Sequence, residues 1–165
     1  MFDVLVIGAG VSGVSCALVL GSAHNKPYAA DKNIAIIAHQ KASSLQNAVF
    51  NNAYGIPAGK LGSEILLESL AQLQNLYPHV AQIEGEKVHS ILGEAGNFTI
   101  ITNKSNFQAK IIVVTIGPNN PFLIEGLEAF VEPHQKIPPA KNRIQLRNND
   151  HLVAEGIYVA GVLAG

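Results

Sequence analysis

The sequence predicts an α/β fold with a mainly parallel sheet, and its first forty residues carry the evidence. Residues 2–7 form a short run that is apolar apart from Asp3, which is typical of a strand buried on both faces of a parallel sheet. A glycine-rich turn follows directly, a helix is expected from about residue 11 to residue 22, and residues 33–38 form a second apolar run. A strand, a turn, a helix and a strand within this length indicate a right-handed β-α-β crossover.

The rest of the chain predicts one more helix and several further strands. The helix is expected at residues 63–77, where Leu66, Leu70, Leu73 and Tyr77 recur at helical spacing and form an apolar stripe. Strands are expected at residues 80–83, 87–92, 97–102, 107–115 and 157–160. Short turns join the three strands between residues 87 and 115, so these strands are expected to form an antiparallel β-meander. No regular element is predicted in the proline-rich stretch 118–139.

Composition limits the classes of function. The chain has 165 residues, which is the length of one domain, and we expect residues 1–165 to form it. It is 48% hydrophobic and 14% charged, which excludes a disordered chain, and its net charge of −1 includes no basic block for a nucleic acid. The apolar runs are shorter than a membrane span, and one cysteine cannot form an internal disulfide. We therefore expect a cytoplasmic protein that contacts neither nucleic acid nor membrane.

The glycine-rich turn has the pattern of a dinucleotide-binding loop, which makes the predicted fold Rossmann-like. Gly8 permits a tight turn after the strand, Gly10 lets a pyrophosphate approach the backbone, and Gly13 lets the helix pack closely on the sheet. With Ala9, Val11 and Ser12, these glycines would present the free N–H groups of the helix N-terminus to the phosphates. The alternative interpretation is that the pattern is only a convenient turn.

The end of the second strand lacks a feature that usually accompanies this loop. A carboxylate there normally accepts hydrogen bonds from the ribose hydroxyls. This chain has Ala38, His39, Gln40 and Lys41 instead. His39 or Gln40 would still be able to bond a ribose, His39 and Lys41 would favour an additional phosphate, and a solvated strand end is equally consistent with the sequence.

Four segments, taken in order, resemble the flavin domain of the thioredoxin reductase family of pyridine nucleotide-disulfide oxidoreductases. Residues 4–13 contain the glycine turn, and residues 51–74 run from an Asn-containing loop into an amphipathic helix. Residues 112–118, Ile-Val-Val-Thr-Ile-Gly-Pro, are similar to the family's strand-end Ala-Thr-Gly signature. Residues 156–162, Gly-Ile-Tyr-Val-Ala-Gly-Val, are similar to its second flavin motif, which ends in Ala-Gly-Asp.

The resemblance implies FAD as the cofactor, bound in an extended pose. The pyrophosphate would lie at residues 8–13, and the adenine near the backbone of Val88. The isoalloxazine ring would be approached by the loop containing Asn51 and Asn52 and by the turn that contains Thr115 and Gly117. The second flavin motif places Gly161 and Val162 at the site. For the two asparagines, ordinary loop conformations are an alternative explanation.

The chain also departs from that family in ways that weaken the flavin half of the site. Gly117 and Gly161 are closer in sequence than the roughly 50 residues that a domain needs, so the inserted nicotinamide domain is expected to be absent, with its cysteine pair. Val162 occupies the position of the family's Asp and offers no side-chain hydrogen bond. The family continues beyond the position of Gly165 into a helix that faces the flavin. The half that would hold the adenine and the pyrophosphate is better preserved.

Three hypotheses about function follow. The first is a small FAD-binding oxidoreductase that exchanges electrons with a separate protein partner or a diffusing nicotinamide. The second is a non-catalytic module that holds an adenine nucleotide, whether NAD(P), ADP or FAD. The third is a degenerate subunit kept for protein contacts, and a homodimer is compatible with each. No side chain is predicted to be a catalytic acid, base or nucleophile, and the six histidines show no metal-ligand spacing.

Overall fold

A computed structural model describes residues 1–39 and 43–165 of the chain. The predictions for Gln40 and Lys41 lie outside these residues. The strands and the two α-helices follow one another as β1 (Phe2–Ile7), α1 (Val11–Ser22), β2 (Ile34–Ala38), β3 (Val49–Phe50), β4 (Lys60–Leu61), α2 (Gly62–Leu76), β5 (Val80–Glu84), β6 (Val88–Glu94), β7 (Asn97–Thr102), β8 (Asn106–Val114), β9 (Val131–Pro133), β10 (Ile144–Leu146), β11 (Leu152–Ala154) and β12 (Ile157–Val159).

The main sheet is largely parallel, as the sequence predicts. Its strands lie in the order β11-β12-β8-β1-β2-β5, and β12, β8, β1, β2 and β5 all run in the same direction. In the centre of the sheet, Leu5 of β1 lies in register with Ala35 of β2 and Ile112 of β8. All three side chains are fully buried, which explains the continuous apolar runs that these strands show in the sequence. The predicted α/β, Rossmann-like fold is confirmed.

Two apolar layers cover the two faces of this sheet. On the helical face, Val14 and Ala17 of α1 and Leu73 of α2 pack against residues such as Val6 and Ile36. The opposite face is covered by the predicted meander of β6, β7 and β8 and by segments from the last fifty residues of the chain. Each fully buried aliphatic side chain in these layers contributes roughly 1.5–3 kcal/mol to folding. The strand ends are thereby held at fixed positions.

Helix α2 forms close to where the apolar stripe predicts it. Leu66, Leu70 and Leu73 are buried, and the carboxylate of Glu64 accepts a hydrogen bond of 3.3 Å from the N–H of Leu61 at the helix N-terminus. The helix ends at Leu76, one residue before the predicted end, and Tyr77 is the residue that caps it. Within the described residues, no helix has the length and apolar character needed to cross a membrane.

The structure contains short strands that the sequence does not predict. β9 and β10 form an antiparallel pair within and just beyond the proline-rich stretch, with Leu146 opposite Val131. β3 and β4 form a second pair before α2, and β11 pairs with β12 at the sheet edge. Strands of two or three residues are too short to show an alternating pattern, so hydrophobic periodicity gives no signal for them.

Candidate functional site

The carboxyl ends of the parallel strands meet at one edge of the sheet. Gly8 follows β1, His39 follows β2, Gly85 follows β5, and Thr115 and Ala160 follow β8 and β12. From β1 the chain crosses through α1 to β2 on one side, whereas β8 lies on the other side of β1. Open α/β sheets bind ligands at such a change of direction, because the loops there diverge and leave a crevice. In this chain the change of direction lies at the ends of β1 and β8, where Gly8 and Thr115 follow the two strands.

Thr115 fixes the beginning of the glycine turn. Its backbone N–H donates to the carbonyl oxygen of Ile7 at 2.9 Å, and its Oγ1 lies 2.9 Å from the carbonyl oxygens of both Ile7 and Gly8. Gly8 has a φ of +108°, and a Cβ atom there would lie 3.0 Å from the backbone and the Oγ1 of Thr115. The turn therefore requires glycine at position 8, both for its backbone conformation and for its contact with Thr115.

Gly13 brings the first turn of α1 directly onto this loop. A Cβ atom at Gly13 would lie 1.8 Å from the carbonyl oxygen of Gly8 and 2.6 Å from the Oγ1 of Thr115. No side chain fits in that space, so the close helix packing expected at Gly13 is present in the structure. The packing fixes the direction in which the N-terminus of α1 points.

Gly10 differs from these two glycines because nothing in the described protein fills the space beside it. A Cβ atom at Gly10 would have only the Oγ of Ser43 within 4 Å, at 3.9 Å. Gly10 is the N-cap of α1 and has no side chain with which to cap the helix, and the first turn contains no acidic residue. The first backbone N–H groups of a helix have no acceptor within the helix. The backbone N–H groups of Val11, Ser12 and Gly13 therefore point out of the N-terminal end of α1, where the helix dipole is positive.

The predicted second flavin motif, residues 156–162, lies against the N-terminal end of α1. Gly161 has a φ of +77°, and a Cβ atom there would lie 2.1 Å from the Oγ of Ser12. The carbonyl oxygen of Val162 accepts a hydrogen bond of 3.0 Å from Nε2 of the buried His134, whereas the Val162 side chain is 55% exposed. Leu163 anchors the segment in the core. The structure therefore joins Gly161 and Val162 to the glycine turn.

His134 holds the segment around Val162 through both ring nitrogens. Its Nδ1 accepts hydrogen bonds from the N–H groups of Lys136 at 3.1 Å and Ile137 at 3.2 Å, while Nε2 donates to Val162. This network fits the neutral tautomer with its proton on Nε2. Sequence reasoning missed His134, because nothing in the local pattern indicates that it packs against a segment 28 residues further along.

The ends of β2 and β5 lie side by side. At the end of β2, Ala38 is buried and His39, the last residue of the described range 1–39, is exposed. The N–H of Gly85 donates to the carbonyl oxygen of Ala38 at 2.9 Å, and Glu84 lies in register with Ala38. Sequence reasoning missed Glu84 because it considered only the end of β2. The acidic residue directly after the next predicted strand, 80–83, was the available signal.

Four other predicted site residues are not joined to the glycine turn by any hydrogen bond of the described residues. Asn51 accepts a hydrogen bond of 3.1 Å from the N–H of Gly59, within the loop between β3 and β4, and Asn52 is exposed in that loop. Val88 is buried at the start of β6, and Gly117 has a φ of +84° with open space around it. Ala9, also predicted, is buried in the turn itself. The bond made by Asn51 is consistent with the loop interpretation.

The chemistry available at this edge is that of binding. A groove of about 70 Å³ between α1 and α2, lined mainly by apolar residues including Gly10, Val11 and Leu45, is smaller than the roughly 300 Å³ of a small ligand pocket. Within residues 1–39 and 43–165, no group of three His, Cys, Asp or Glu side chains is placed to hold a metal ion. Burial raises the pKa of the Cys16 thiol, which disfavours the reactive thiolate.

Comparison with known proteins finds similar sequences and folds among reductases. A ferredoxin–NADP reductase from Lactococcus lactis is 30% identical over 117 residues, which are 70% of this chain and 35% of that protein. The structure of T. acidophilum thioredoxin reductase matches with a TM-score of 0.57 and 26% identity, over 78% of this chain and 40% of the other. An oxidoreductase from Agrobacterium tumefaciens matches with a TM-score of 0.60 and 26% identity, over 72% and 37%. No family model matches the chain.

The chain resembles the thioredoxin reductase-like FAD-dependent oxidoreductases in sequence and in fold. It spans about a third of the length of the Lactococcus relative and about two fifths of the T. acidophilum enzyme. The family resemblance inferred from the order of the four sequence motifs is thereby confirmed.

Proposed function

We propose that this chain binds FAD along the crevice at the carboxyl edge of the sheet and takes part in flavin-mediated electron transfer with a separate partner. The observation that carries the proposal is the N-terminus of α1, where Gly10 leaves open space and the helix has no side-chain cap. Those N–H groups suit the pyrophosphate of a dinucleotide. The resemblance to the thioredoxin reductase-like oxidoreductases favours FAD over a nicotinamide dinucleotide in this position.

Different residues of the edge would hold the different parts of FAD. The turn from Gly8 to Gly13 would hold the pyrophosphate, and the Gly161 segment, packed on Ser12, would flank it. The backbone of Val88 would approach the adenine, as the resemblance implies. The loop containing Asn51 and Asn52 and the turn at Gly117 would approach the isoalloxazine ring. When bound, the flavin would supply the redox chemistry, and the protein would supply orientation and shielding from water.

A second candidate function is a module that binds an adenine dinucleotide without catalysis. The exposed, apolar side chain of Val162 favours it, because a family Asp at this position would offer the ligand hydrogen-bond acceptors. In this alternative NAD(P) or ADP would occupy the same turn. We likewise propose that the first function uses a separate protein as electron donor or acceptor. A homodimeric assembly is compatible with either candidate function.

The deciding experiment is to measure which nucleotide the purified protein holds. FAD binding predicts a yellow protein that releases flavin absorbance on denaturation, and quenching of flavin fluorescence on titration of the flavin-free protein. A colourless protein whose melting temperature rises with NADPH or ADP but not with FAD would support the second candidate instead. Absence of any response to these nucleotides would exclude both.

Gly10→Ala separates binding from folding in the same assay. The added methyl group meets no close neighbour in the described protein, so the melting temperature of the ligand-free variant should fall by no more than about 3 °C. Nucleotide affinity should fall by at least about tenfold, because the methyl group occupies the space for the pyrophosphate. Val19→Ala, at an exposed site near the other end of α1, is the matched control and should bind as the wild type does.

Val162→Asp tests the flavin side of the site. The side chain at this position is exposed beside Gly161, so an aspartate there would be able to accept hydrogen bonds from the ribityl part of FAD. The variant should bind FAD more tightly than the wild type and bind ADP equally well. Unchanged FAD affinity would show that residue 162 does not lie at the flavin.

A further inference from the structure

The acidic residue missing from the end of β2 has a counterpart on the adjacent strand. Glu84, the last residue of β5, lies in register with Ala38, the last residue of β2. Neighbouring strands lie about 4.8 Å apart. The hydrogen bond from the N–H of Gly85 to the carbonyl oxygen of Ala38 ties the two strand ends together. Glu84 is therefore held one strand further from the glycine turn than a carboxylate at position 38 would be.

Glu84 is directed to the same face of the sheet as Ala38. Ala38 belongs to the apolar layer formed with α1 and α2. Two residues before Glu84, the side chain of Gln82 donates to the carbonyl oxygen of Leu70 in α2, whereas Ile83 packs in the opposite layer. Since side chains alternate along a strand, Glu84 is on the helical face, the face that carries the N-terminus of α1.

The Glu84 carboxylate is available to a ligand. The residue is exposed and makes no hydrogen bond or ion pair with any of residues 1–39 and 43–165. The Nζ of Lys104 would lie 3.3 Å from a Cβ atom at Gly85, the residue after Glu84. An exposed carboxylate offers two acceptor oxygens and no donor, which is the complement of a pair of ribose hydroxyls.

We propose that Glu84 binds the ribose hydroxyls of the adenine nucleotide and so makes the site selective for a ribose without a 2′-phosphate. The inference rests on the proposed nucleotide site at the glycine turn. The glutamate side chain has one more methylene group than aspartate, which lets it reach back from β5 across the end of β2. A 2′-phosphate would bring a second negative charge to this carboxylate and would be repelled.

The test uses three nucleotides that differ only at the 2′ position: ADP, 2′-deoxy-ADP and 2′-phospho-ADP. The wild type should bind ADP roughly 10- to 100-fold more tightly than either analogue, since hydrogen bonds to a charged group are among the stronger ones. Glu84→Gln should weaken the binding of ADP by about tenfold or more, weaken that of 2′-deoxy-ADP less because only its 3′-hydroxyl remains to bind, and strengthen that of 2′-phospho-ADP. Glu94→Gln, at the exposed end of β6, is the control and should change none of the three affinities.

The outcomes separate this inference from the function on which it rests. If the wild type binds ADP and Glu84→Gln binds it equally well, the role of Glu84 is wrong and the nucleotide site stands. Preference of the wild type for 2′-phospho-ADP would also overturn the role of Glu84, in favour of recognition by neighbouring cationic residues. If the wild type binds none of the three, both the site and the inference fail.

Discussion

Replacing Gly13 with alanine should destabilise the fold whether or not a nucleotide binds. The new Cβ atom would lie 1.8 Å from the carbonyl oxygen of Gly8, where ordinary contact needs 3.4 Å or more. Helix α1 or the turn would have to move by roughly 1.5 Å, and the turn is held by Thr115. Overpacking of this kind costs about 1–3 kcal/mol and occasionally more, and the backbone contact places it at about 3 kcal/mol. For a chain of this length that corresponds to a fall in melting temperature of about 6–12 °C.

Thermal denaturation of the ligand-free protein, followed by circular dichroism, measures this effect. The sign of the shift is informative, because glycine to alanine within a helix normally stabilises by about 0.8–1 kcal/mol. Gly10→Ala, with open space at the new methyl group, is the matched control and should differ from the wild type by no more than about 3 °C. A melting temperature for Gly13→Ala equal to or above that of the wild type would refute the close contact between α1 and the turn.

Three further predictions concern side chains that position the site or the sheet. Thr115→Val keeps the shape of the side chain but removes its hydroxyl contacts, so the free energy of unfolding in a denaturant titration should fall by about 1–2 kcal/mol. His134→Phe leaves three part-buried backbone partners without their hydrogen bonds to the ring and should cost about 1–3 kcal/mol, whereas His134→Asn, which keeps an acceptor near Nδ1, should cost less. The hydrogen bond from the Lys110 side chain, and after it the one from the Asn33 backbone N–H, lowers the pKa of Asp3 below its ordinary value of 3.8. The ionised Asp3 therefore stabilises the fold fully above pH 3.8, and this contribution is lost as the pH falls through the lowered pKa. The stability difference between wild type and Asp3→Asn should therefore shrink below about pH 3.8 in acid denaturation curves.

The elements that local sequence predicts best are those whose signal is complete within a few residues. The bounds of β1 and α1 coincide with the prediction because an apolar run ends at Ile7 and the glycines begin at Gly8. The pairing of β9 with β10 gives no such signal, since each strand has three residues and pairs across an irregular connection of ten residues. Their stability comes from tertiary contacts, such as the full burial of Leu146, which no short sequence window contains.

The candidate site divides in the same way. The different roles of Gly8 and Gly13 follow from the motif, because each is set by the geometry of a strand, a turn and a helix that are adjacent in sequence. The contact of Gly161 with Ser12 joins positions 149 residues apart and needs the completed sheet. The placement of Glu84 beside Ala38 depends on the register of two strands, which sequence alone does not supply. What sequence could not predict is thus the part of the site assembled by long-range packing.

The three glycines of the turn serve two different purposes, and the difference separates ancestry from function. The fold itself requires Gly8 and Gly13, since a side chain at either would meet the backbone or Thr115, so their presence is expected even in a chain that binds nothing. The fold does not require the open space at Gly10, and a capping residue such as Ser or Asp there would stabilise α1. Among the described residues, the open space at Gly10 is therefore the feature that packing leaves unexplained and that the proposed anionic ligand would explain. A variant at Gly13 tests the architecture of the turn, whereas a variant at Gly10 tests whether the chain binds a nucleotide.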